Sequence, residues 1–150
     1  MTRSNARELA CQLVFQINFQ QVTAQEALDA TLRDGYYETL KGESDIFDEK
    51  PTGRQLAYLT NVVQGIQAKQ EELTGYISRF SVGWNLGRIS RMAVAIMEVC
   101  MYESLYVDDV PVSAAISEAV ELTRKYEDED VVSFVNGILG RFAREVAAPC

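Results

Sequence analysis

Arg3 and Arg7 stand four residues apart in an opening stretch of seven that holds no acid. On a helix that spacing puts both guanidinium groups on one side of the first turn, where they would neutralise two phosphates. Ser4 and Asn5, between them, carry short polar side chains suited to hydrogen bonds with phosphate oxygens or base edges. Read alone, the two arginines are ordinary solvated side chains. A second acid-free window, 76–97, contains Arg79, Arg88 and Arg91. They would widen a basic surface, but a structural role is the better expectation for all three. Arg88 in particular suits an ion pair with Glu103 or Glu118, acids flanked by apolar residues. Phe134 has two readings as well: a ring for an unpaired base to stack on, worth about 1–3 kcal/mol, or a core residue in line with Ile138.

What is missing narrows the chemistry. The chain has no histidine, so no Ser-His or Cys-His nucleophile and no histidine metal site can be assembled. Neither G-x-x-x-x-G-K-[ST] nor G-x-G-x-x-G occurs. No catalytic residues, metal or cofactor are expected. Cys11, Cys100 and Cys150 form no C-x-x-C pair and are odd in number, which fits a reduced, cytoplasmic protein. No apolar run is long enough for a signal peptide or a membrane span. The net charge of −8 comes from 14 basic and 22 acidic side chains. It argues against broad nucleic-acid binding and leaves room only for a local contact. Residues 26–50 carry eight acids against three bases, a surface better suited to a basic protein partner.

Positioning these residues falls to helices. Apolar residues make up 47% of the 150, enough for one helical domain with a sizeable core. Leu9, Ala10, Leu13, Val14 and Ile17 recur at threes and fours and predict a helix over 5–20, with Asn5 and Glu8 as its capping box. Thr23 and Glu26 form a second box, opening a helix with Leu28, Leu32, Tyr36 and Leu40 on one side. The stretch 41–53 reads as a polar, flexible loop. Thr52 and Gln55 give a third cap, followed by a helix through Leu59, Val63, Ile66, Leu73 and Ile77 that bends at Gly75. Trp84, Leu86 and Ile89 plug the core from a glycine-broken link. Ser90 caps a helix over 91–106 that is apolar nearly all round and hence central. Pro111 suits the first position of a helix over 112–126. The acids 127–130 complement the dipole of a last helix striped by Val131, Phe134, Val135, Ile138, Leu139, Phe142 and Val146. The expectation is an all-α bundle of six or seven helices in two packed halves, about 1–80 and 81–150.

Three stretches occur in the order and spacing of one family: WNLGRISRMAVAIMEVCMYES (84–104), DVPVSAAISEAVELTRKY (109–126) and FVNGILG (134–140). The opening ARELACQLVFQ (6–16) fits the same pattern, and together they cover over half the chain. On these motifs the chain resembles the NusB family. The resemblance implies a transcription antitermination factor for ribosomal RNA synthesis. It would bind boxA RNA in nascent transcripts, pair with the small-subunit ribosomal protein NusE and work within the elongation complex, with a homodimer left open. It assigns RNA contact to Arg3, Ser4, Asn5, Arg7 and Phe134, and partner contact to the region of Trp84 and Ala93. The chain departs from the family pattern at Ser4 and Asn5, where further basic residues are usual, and at Ala93, Glu98 and Ser104 in helix 91–106. Fewer cations mean less counterion release, hence weaker RNA affinity and a shallower salt dependence. The alternative is a helical adaptor or self-associating module with little RNA binding. An RNA methyltransferase, to which such domains are sometimes fused, is disfavoured because only ten residues follow the last motif.

Overall fold

The computed structural model describes residues 1–81, 83 and 89–147. Among them the regular structure is helical and no strand occurs. The chain forms two compact units, Met1–Ala68 and Lys69–Cys150. The first holds α1 (Arg3–Gln20), α2 (Ala24–Leu32), two short 3-10 turns (Tyr37–Leu40 and Asp45–Phe47) and α3 (Gly53–Ala68). The second holds α4 (Gln70–Phe80), α5 (Arg91–Tyr106), α6 (Val112–Tyr126), α7 (Glu129–Phe142) and a closing π-helical turn, Ala143–Ala147. The sequence reading counts α4 with the first half; in the structure it packs on α5 and α7.

In the first unit α1 buries Ala6, Leu9, Ala10, Leu13, Val14 and Ile17 and packs on α2 and α3. Its cap is Thr2, whose Oγ1 accepts the Asn5 N–H at 3.0 Å, and not Asn5 as the sequence reading has it. The helix therefore starts two residues earlier than expected, and Arg3, Ser4 and Asn5 lie inside its first turn. Thr23 and Glu26 form the expected reciprocal box, with both hydrogen bonds present. The expected run of α2 through Tyr36 and Leu40 stops at Leu32. Arg33 turns extended (ψ 133) and Gly35 takes φ +87, a value that favours glycine and breaks a right-handed helix. The following segment is pinned: Ile46 and Phe47 are buried, Tyr37 packs edge-on against Phe47, and the Tyr37 hydroxyl donates to the Glu49 carbonyl at 3.1 Å.

The long helix expected from 53 to 77 is two helices. Lys69 leaves helical geometry (φ −107, ψ 19), while Gly75 sits within α4. Glu71 and Glu72 in the first turn of α4 complement a fresh N-terminal dipole. In the second unit α5 buries every residue from Ala95 to Glu103, and Ser90 Oγ caps it by accepting the Ala93 N–H at 3.2 Å. Pro111 stands at the cap position of α6, one place before the first helical residue. Asp128 caps α7, accepting the Val131 N–H at 3.2 Å.

One polar cluster in this unit predicts a pH signature. Glu72 accepts hydrogen bonds from the Tyr106 hydroxyl and, at 2.7 Å, from the Tyr76 hydroxyl. These bonds, Tyr106 first, hold the Glu72 carboxyl below its ordinary 4.5, and the same carboxylate pushes Tyr106 up to about 12. A depressed carboxylate pKa contributes stability fully present above the unfolded value and lost as pH falls through the folded one. The raised tyrosine contributes below its unfolded value, near 10, and is lost as pH rises through about 12. Tyr106→Phe should therefore melt below the parent by a constant margin from pH 8 to 5, with the margin narrowing below about pH 4. Thermal melts across that range measure it; a margin unchanged down to pH 3 would refute the cluster.

Candidate nucleic-acid interface

The start of α1 is held from both ends. Thr2 caps it, and the chain's terminal ammonium pairs with Glu49 at 3.1 Å. Arg3 lies across α3: its Nε donates to Gln55 Oε1 at 2.8 Å, and its guanidinium carbon sits 4.2 Å above the Tyr58 ring. Stacking and a single hydrogen bond through Nε leave the terminal guanidinium nitrogens as donors, and the contact removes most of the side chain's freedom. Ser4 is exposed and Asn5 half-buried. Three of the proposed phosphate contacts thus share one accessible first turn.

Arg7 is placed differently. Its residue is only 7% exposed, so it does not stand beside Arg3 in solvent. Helical geometry explains this: positions 3, 7, 10 and 14 fall along one side of α1, and Ala10 and Val14 pack inward. Arg3 escapes burial because it belongs to the terminal turn. Phe134 is 5% exposed, on the stripe of α7 with Val135, Ile138 and Leu139. Ser133, Asn136 and Gly137 are the exposed residues around it. Ala93 is fully buried in the first turn of α5. Trp84, like Leu86 and the expected pairing of Arg88, lies outside the described residues.

Sequence reasoning missed Arg54. It is exposed in the first turn of α3, adjacent in sequence to the Gln55 that receives Arg3. A helix N-terminus ordinarily favours acids, because its unpaired N–H groups carry partial positive charge. α2, α4 and α7 follow that rule with Glu26, Glu71 and Glu72, and Glu129 and Asp130. The first turns of α1, α3, α5 and α6 hold no acid, and those of α1, α3 and α5 carry Arg3, Arg54 and Arg91. Two cationic helix starts joined through Gln55 favour an incoming anion. The readable signal was an arginine two places after Thr52, the expected cap of this helix, in a chain with acids to spare. Among the described residues no group of three or more His, Cys, Asp or Glu side chains is arranged to hold a metal ion, and no helix is long and apolar enough to cross a membrane.

Fold and site together define an all-α protein with a cationic helix start on an otherwise anionic chain. The chain belongs to the NusB family, whose model matches residues 4–144. It is 37% identical over 144 residues to the transcription antitermination protein NusB of Acetivibrio thermocellus, covering 96% of this chain and 90% of that protein. The protein of the same name from Ruminiclostridium cellulolyticum is 32% identical, with coverages of 96% and 90%. That from Clostridium botulinum is 31% identical, with coverages of 94% and 99%. Among solved structures, T. maritima NusB superposes with a TM-score of 0.75 at 26% identity, covering 98% of this chain and 94% of that one.

The contrast between the two arginines is testable without a ligand. Arg7→Ala removes a buried stem and polar head and should lower stability by about 1–3 kcal/mol. Arg3→Ala, at the half-exposed end, should cost under about 1 kcal/mol. Urea denaturation of both variants measures this; equal losses would contradict the burial difference.

Proposed function

We propose that this chain is a cytoplasmic transcription antitermination factor that contacts boxA RNA together with NusE within the elongation complex. Membership of the NusB family along residues 4–144 is the observation that carries the reading. Relatives named for transcription antitermination support it. Arg3, Ser4 and Asn5 make the phosphate contacts from the α1 start, joined by Arg54 from α3. Arg7 serves this surface from inside by setting the turn. Phe134 marks the start of α7 as a base-facing position; its ring is buried, so stacking requires it to rotate outward. NusE, a basic ribosomal protein, docks through the region of Trp84 and Ala93. Ala93 acts there by fixing the first turn of α5, where Arg91 is exposed.

Few cations face solvent at the α1 start, so RNA affinity alone should be low. A partner that adds a second surface raises it through effective concentration. Adding NusE should tighten boxA binding by about 100-fold or more in fluorescence anisotropy. Arg3→Ala with Arg54→Ala should flatten the salt dependence by about 1.4 in log–log slope, two phosphates on a single strand. The burial of Arg7 and Phe134 favours a second reading, a helical adaptor with little RNA affinity of its own. Affinity indifferent both to NusE and to these substitutions would select it.

A further inference from the structure

Three arginines of the second unit converge where α4 and α7 end. Arg79 lies in the last turn of α4, Arg141 in the last turn of α7 and Arg144 in the π-helical turn beyond. The Arg79 and Arg141 guanidinium carbons stand 4.8 and 5.1 Å from the centre of the Phe80 ring. Both reach Glu145, Arg79 Nη2 at 3.4 Å and Arg141 Nε at 3.3 Å. Their side chains nevertheless stay 56% and 40% exposed. Arg144 is exposed, and its Nη1 lies back over Gly140, where an added Cβ would stand 3.4 Å away.

Cations in a last helical turn offset the carbonyl-end dipole, which accounts for Arg79 and Arg141 in part. It does not account for the rest of the arrangement. Glu145 pairs with Arg79 and Arg141 and Arg144 adds a third cation, so these four side chains carry a net charge of +2 on a chain of net charge −8. Phe80 and Glu145 hold two guanidinium planes in place, which lowers the entropy lost when further donors engage a phosphate. The burial of Arg7 meanwhile reduces the cations presented by the α1 start, and RNA affinity scales with the number of phosphates neutralised.

We propose that the Arg79–Arg141–Arg144 patch is a second phosphate-binding surface for single-stranded RNA, contacting backbone and not bases. It deepens the RNA-binding reading above and rests on it. Planar, bidentate donors suit phosphate oxygens, and without base-edge contacts the surface adds affinity without sequence preference. Glu145 restrains it by occupying two of the three arginines.

Salt titrations of the full chain with NusE and a boxA oligoribonucleotide test this. Arg141→Gln with Arg144→Gln should bind more weakly and lose about sevenfold less affinity between 50 and 200 mM salt, as expected for two lost phosphates. Glu145→Gln should bind severalfold tighter, the direction that a merely structural cluster would not give. A scrambled RNA of equal length should lose the same increment in the arginine variant. Unchanged slopes in that variant, with Arg3→Ala still weakening binding, would overturn the patch and leave the RNA-binding reading standing. No RNA binding by the parent with NusE would overturn both. Polyglutamate binding that the double variant abolishes, with RNA affinity untouched, would assign the patch to an acidic protein and overturn the proposal.

Discussion

The contact between Arg3 and α3 sets what the beginning of this chain can do. One guanidinium stacks on Tyr58 and donates to Gln55, tying two helix starts together. Without it, Arg3 would sample the many rotamers of a free arginine, and ordering it on a ligand would cost affinity. With it, the Arg3 cation is already held against α3 before any ligand arrives. Thr2 completes the arrangement by placing Arg3, Ser4 and Asn5 inside the first turn, where backbone N–H groups point outward.

The second unit poses the opposite problem, keeping polar groups inside. α5 is buried along most of its length yet includes Glu98 and Glu103. Glu98 receives a hydrogen bond from the Gln70 amide of α4. An unpaired carboxylate there would be expensive, so this bond helps fix how α4 sits on α5. Thr123 on α6 is likewise buried and bonds back to the Ala119 carbonyl at 2.7 Å, satisfying its hydroxyl within its own helix. The polar residues of this core are thereby compatible with close packing.

Helix positions were legible because burial follows a period that short windows of sequence display. α5, α6 and α7 fall where the apolar stripes, the Ser90 cap and the acids 127–130 put them. Ends depending on one residue's backbone were harder to read. Gly35 stops α2, yet the spacing of Tyr36 and Leu40 continues as though it did not. Lys69 divides α3 from α4 with no glycine or proline to mark it, and the acids after it were the overlooked clue. At the candidate site Arg7 could have been read as buried, since it shares a side with Ala10 and Val14. The partnership of Arg3 with Gln55, 52 positions away, could not, because no local pattern carries it.

If the anchored Arg3 is what presents the α1 start to RNA, then Arg3 and Gln55 must act as one unit. A double-mutant cycle of Arg3→Ala and Gln55→Ala, read as boxA affinity with NusE present, measures this most directly. The double variant should bind no more weakly than Arg3→Ala alone, because removing Gln55 matters only through Arg3. Losses that simply add would show that Arg3 meets RNA without its anchor, and would contradict the account.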